Sequence, residues 1–66
     1  MQEKISAANK YLLSAEEASE YFGVGVNKLR HLIQENRTAK WVIWNGTHAY
    51  IKRKLFEEYL DSVNVI

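Results

Sequence analysis

Apolar residues recur along this chain at two different spacings, and the switch between them maps its elements. Ala15, Ala18, Tyr21 and Phe22 sit three and four positions apart, the spacing of one helix face. Ser14-Ala15-Glu16-Glu17 at the start of that run matches a capping box, in which the Ser hydroxyl and the Glu carboxylate satisfy backbone amides reciprocally. Leu13 and Ala18 flank the cap at hydrophobic-staple positions. Gly23 follows Phe22 and supplies the left-handed turn that ends a helix. After the short link Val24-Gly25, a second helix is predicted from about Val26 to Asn36, with Val26, Leu29, Leu32 and Ile33 on one stripe. A third is predicted from about Arg53 to Val63, where Leu55, Phe56, Tyr59, Leu60 and Val63 repeat at helical spacing.

Between the second and third helices the spacing becomes that of strands. Trp41-Val42-Ile43-Trp44 and His48-Ala49-Tyr50-Ile51 flank Asn45-Gly46, a strong hairpin signal. A two-residue loop of Asn45-Gly46 pairs Trp44 with Thr47. A three-residue loop, Asn45-Gly46-Thr47, pairs Trp44 with His48 and puts Trp41, Ile43, Ala49 and Ile51 on one face. The second register gives the cleaner apolar set and is preferred. Tyr11-Leu12-Leu13 reads as a further short strand. Residues 1–10 are polar and aperiodic and read as a flexible tail, leaving 11–66 as the folded domain. The predicted fold is a small α+β winged helix-turn-helix: two helices joined by a tight turn, a hairpin wing and a C-terminal helix.

Size narrows the functions available. At 66 residues the chain is one domain with little room for a substrate cleft. It has no cysteine, which suits a reducing cytoplasm and rules out disulfides and thiolate metal sites. Its longest apolar run, Trp41-Val42-Ile43-Trp44, is far short of the ~20 residues of a membrane span. The net charge of +1 hides an uneven distribution. Residues 26–54 carry Lys28, Arg30, Arg37, Lys40, Lys52, Arg53 and Lys54 against Glu35 alone, and acidic residues dominate on either side. A basic middle between acidic ends is the footprint of a face that meets a polyanion, although many small domains also carry lumpy charge.

The second helix carries the sharpest chemistry. Opposite its apolar stripe lie Asn27, Arg30, His31 and Gln34, flanked by Lys28. Arg makes bidentate bonds to guanine, and Asn or Gln to adenine. An ordinary solvated helix favours such residues too. The position of this helix, second in a helix-turn-helix, favours major-groove readout. Lys52-Arg53-Lys54 places three cations at the start of the last helix, where the dipole disfavours them. A DNA phosphate would relieve that repulsion, and Arg37 and Lys40 are further phosphate candidates. Glu57 and Glu58 offer an internal compensation. Asn45, Gly46, Thr47 and His48 form the wing tip. Trp44 and Tyr50 lie off the preferred apolar face and are the aromatics to watch for base stacking. The serines lie in no nucleophile motif, and His31 and His48 lack a metal-ligand spacing, so neither an enzyme nor a cofactor is expected.

Tyr11-Leu12-Leu13-Ser14-Ala15-Glu16-Glu17-Ala18, Tyr21-Phe22-Gly23-Val24-Gly25 and Asn27-Lys28-Leu29-Arg30-His31-Leu32-Ile33 together resemble the start of excisionase-type winged-helix domains. Trp41-Val42-Ile43-Trp44-Asn45-Gly46 with Ile51-Lys52-Arg53-Lys54-Leu55-Phe56-Glu57 is most similar to the excisionases of conjugative transposons. The resemblance runs from about Tyr11 to Leu60. It implies a protein that binds repeated double-stranded DNA sites in the arms of a mobile element and bends them. Such a protein helps a tyrosine-recombinase integrase assemble the excision complex, as a recombination directionality factor without strand chemistry. It also implies a recognition helix over residues 27–36 and a wing over residues 44–48. His31 stands where relatives often carry a second Arg, and His48 where a wing Arg is usual. Further copies on adjacent sites would supply the bend, because one small module spans little DNA.

Two other readings stay open on the sequence. One is a transcriptional regulator with the same fold. The other is a module that docks on a recombinase through the acidic last helix and its Val63-Asn64-Val65-Ile66 tail.

Overall fold

The computed structural model describes residues 10–66. The predicted tail, apart from Lys10, lies outside the described residues. The elements follow in the order β1 (Leu12–Leu13), α1 (Ala15–Phe22), α2 (Val26–Glu35), β2 (Val42–Asn45), β3 (His48–Lys52) and α3 (Arg53–Asp61). The three strands form one antiparallel sheet in the order β1-β3-β2. This is the α+β winged-helix arrangement that the sequence pattern predicts.

Local chemistry sets the ends of α1. Ser14 Oγ accepts from the Glu17 amide at 3.1 Å, and Glu17 Oε1 accepts from the Ser14 amide at 2.9 Å, completing the capping box. The staple residues Leu13 and Ala18 are both fully buried. Gly23 closes the helix with φ of 74° and donates its amide to the Ser19 carbonyl. Lys10 donates to the Glu17 carboxylate at 2.6 Å. That bond, and then the Ser14 backbone amide, hold the Glu17 carboxyl below its ordinary value against a smaller opposing effect of burial. Stability drawn from this shift is fully present above the ordinary carboxylate range. It is lost as pH falls through the lowered folded value. Ser14→Ala is expected to cost about 0.5–2 kcal/mol, because it orphans the Glu17 amide. A thermal melt checks this, at roughly 4–8 °C of midpoint for each kcal/mol in a domain of this size. An unchanged midpoint would show that the cap contributes nothing.

The two later helices stop a little short of their predicted ends. Asn36 caps α2: its amide bonds to the carbonyls of Ile33 and Leu32, and its side-chain amide donates to the Leu32 carbonyl at 2.8 Å. Ser62 ends α3 in a similar way, its hydroxyl donating to the Tyr59 carbonyl at 2.7 Å.

The hairpin register differs from both sequence alternatives. Asn45 pairs with His48, Trp44 with Ala49, Ile43 with Tyr50 and Val42 with Ile51. The loop is therefore Gly46-Thr47. Gly46 has φ of 66°, and no residue other than glycine has positive φ among the described residues. Glycine in the first central position with a negative-φ residue after it fits a type II′ turn, whose twist suits a hairpin. The preferred three-residue loop is thus corrected by one step. The step exchanges the faces of β2, since successive strand residues point to opposite sides. Val42 and Trp44 join Ala49 and Ile51 on the inner face, whereas Ile43 is 38% exposed opposite Tyr50. Trp41 remains buried because it precedes the strand and packs on α3, 4.7 Å from the Phe56 ring and 5.3 Å from Tyr59.

The core comprises Leu13, Ala18, Leu29, Ile33, Trp41, Val42, Ile51 and Phe56. Phe56 lies at its centre, its ring also 5.0 Å from Phe22 and 5.6 Å from Tyr59. Leu29 and Ile33 fix the rotation of α2, and Ile51 anchors the strand that leads to the hairpin tip.

Candidate nucleic-acid interface

Burial of Leu29 and Ile33 turns the other side of α2 outward. Asn27, Lys28, Arg30, His31 and Gln34 are all exposed. The helix carries no acidic residue in its first turn, and Gly25 caps it without a side-chain bond. The hairpin tip, Asn45 to His48, is exposed as well. Between helix and hairpin lies a groove of about 360 Å³. Arg30, Ile33 and Gln34 line it from α2, Trp44, Thr47 and His48 from the hairpin, and Ser14, Ala15 and Glu16 from the start of α1.

Two arginines make contacts with residues that line the groove, Arg30 from within its lining and Arg37 from beside it. Arg30 pairs with Glu16 of the first turn of α1, through its Nη2. Arg37 lies with its guanidinium 4.4 Å from the Trp44 ring centroid. Its Nη1 donates to the Gln34 side-chain oxygen at 2.9 Å, and Trp44 Nε1 donates to the Arg37 carbonyl at 3.0 Å. Arg37 thus ties the end of α2 to the hairpin, and its cation sits over an aromatic face that attracts it. The same contact covers one face of the Trp44 ring.

The remaining candidates fall outside the groove. Lys28 donates to the Ile66 carbonyl at 3.1 Å. Lys40 lies in a second hollow beside Trp41, Glu58 and Tyr59. Lys52 caps α3 without a side-chain bond, and Lys54 is exposed one residue into it. Arg53 has turned inward, with 17% of its side chain exposed. Its Nε donates to the Lys10 carbonyl at 2.8 Å and its Nη1 to Glu57 at 3.2 Å. Arg53 therefore pins the chain ahead of β1 to α3, and the Glu57 carboxylate offsets its charge at the helix start. The spacing along the chain does not connect Glu16 with Arg30. The two are fourteen positions apart, and only the crossing of α1 and α2 brings them together.

Among the described residues, no three His, Cys, Asp or Glu side chains cluster as a metal site. No buried side-chain nitrogen or oxygen is without a partner there. No helix among them is long and apolar enough to cross a membrane. What the surface offers is a ridge of hydrogen-bonding and cationic side chains beside a projecting hairpin, the geometry by which a helix enters a major groove and a wing meets the flanking backbone.

The family model described as excisionase from transposon Tn916 matches residues 1–66. A protein of Streptococcus agalactiae serotype V, named excisionase from transposon Tn916, is 48% identical over 65 residues, which cover 98% of this chain and 97% of the relative.

Proposed function

Because the chain belongs to the Tn916 excisionase family, we propose that it binds the arms of a mobile element in a sequence-specific manner, bends them, and so promotes excision by a tyrosine-recombinase integrase. The protein acts as a directionality factor and makes or breaks no DNA strand. One observation carries the DNA reading: Arg30 and Gln34 of α2 share a groove with Thr47 and His48 of the hairpin tip. Arg30, with Asn27, His31 and Gln34, reads base edges in the major groove. Lys28, Arg37, Lys40, Lys52 and Lys54 meet phosphates, joined by the amino group of Arg53 that its internal bonds leave over. Asn45, Gly46, Thr47 and His48 approach the neighbouring minor groove. Bending follows from copies on spaced sites, since a single domain of this size grips only a short stretch of duplex.

Fluorescence anisotropy with a duplex from an element end and a shuffled duplex, across a salt series, tests this reading. Selective, salt-dependent binding is expected. Weak binding, equal on both duplexes, would leave only a basic patch and favour docking on a recombinase instead. Lys54→Ala is expected to weaken both duplexes alike and to reduce the slope of log affinity against log salt by about 1, as for one lost phosphate contact. A changed sequence preference in that variant would contradict a phosphate role.

A further inference from the structure

Glu16 is the one acidic side chain among the described residues that line the groove. Its ion pair with Arg30 is an exposed one, with 66% of the Glu16 side chain and 54% of the Arg30 side chain open to solvent. Pairs of this kind contribute little to folding. A carboxylate beside a DNA-facing groove also opposes binding to every sequence, because each phosphate carries the same sign. Its position is therefore costly unless it returns something in recognition.

Arginine has five donors in a planar fork, and a guanine edge needs two of them in one orientation. Glu16 takes one hydrogen of Arg30 Nη2 and leaves the rest of the fork available. An arginine already held in the groove loses less rotamer freedom when it meets its base. The same carboxylate competes with any phosphate for that guanidinium. It thereby disfavours complexes in which Arg30 merely finds backbone. We infer that Glu16 is a specificity-determining, positioning residue: it orients the Arg30 guanidinium in the groove and penalises complexes that lack the matching base. The inference rests on the DNA-binding reading above.

Glu16→Gln keeps the side chain's length and removes its charge. Against the element-end duplex and a shuffled duplex at one salt concentration, this variant is expected to bind shuffled DNA more tightly. Cognate affinity stays level or falls, so the selectivity ratio drops about fivefold or more, the lower end of what one good base contact supplies. In the free protein, the Arg30 Nε–Hε signal is expected to move toward that of an unpaired arginine. Equal tightening on both duplexes would make Glu16 a bystander charge and overturn the inference, as would an unchanged ratio or an unmoved Arg30 signal. A parent protein that does not discriminate between the duplexes would remove the DNA reading and this role together. The parent's own binding curves therefore separate the two failures.

Discussion

Phe56→Ala is expected to take away most of the domain's stability, lowering the thermal midpoint by more than about 10 °C or leaving the chain unfolded. Phe56 is fully buried and among the largest side chains at the centre of the core. Its ring lies 5.0 Å from Phe22 of α1, 4.7 Å from Trp41 ahead of β2 and 5.6 Å from Tyr59 of α3. One side chain therefore joins the helix-turn-helix to the third helix and to the base of the hairpin. Truncating a buried Phe costs roughly 3–5 kcal/mol, from lost transfer energy and the cavity left behind. A 66-residue domain holds only roughly 3–10 kcal/mol in total. With no cysteine in the sequence, no disulfide limits the loss. Circular dichroism against temperature measures the effect, and Phe56→Leu, which keeps most of the volume, is expected to lose much less. A Phe56→Ala midpoint within a few degrees of the parent would place the centre of the core elsewhere.

The elements that sequence reasoning located correctly are those governed by contacts a few residues apart. The capping box at Ser14 and Glu17, the glycine stop at Gly23 and the Leu29–Ile33 stripe each depend on local backbone geometry. The hairpin register does not. Asn45-Gly46 announces a turn but not which central position the glycine occupies, and one step reverses the faces of β2. The step was settled by packing: Val42 and Trp44 had to face Ile51 and Ala49. Trp41 misled the pattern, because its burial comes from α3 and not from the sheet face. The candidate site divides in the same way. The exposed face of α2 was readable from periodicity. The inward turn of Arg53, the cover of Arg37 over Trp44 and the Arg30–Glu16 pair were not, because each joins elements whose crossing the spacing along the chain does not encode.

Arg30→Ala is expected to weaken binding to the element-end duplex by about 1–3 kcal/mol, roughly 5–150-fold, and to relax sequence preference. Arg30 is the arginine of the α2 face that lines the groove, and an arginine fork to guanine is the commonest specific contact a recognition helix makes. The fold is expected to survive, because the side chain is half exposed and its one partner among the described residues is the exposed Glu16. A melt unchanged within a few degrees would confirm that the loss belongs to recognition. Arg30→Lys separates charge from geometry. Lysine keeps the cation but has no planar fork, so binding to shuffled DNA should match the parent while the cognate advantage falls. Alanine removes the cation as well, and it also leaves the Glu16 carboxylate facing the groove unpaired, so shuffled DNA should bind more weakly to Arg30→Ala than to Arg30→Lys. If both variants discriminate between the duplexes as well as the parent does, recognition resides in another residue of α2, and Gln34, which shares the groove, becomes the first to test.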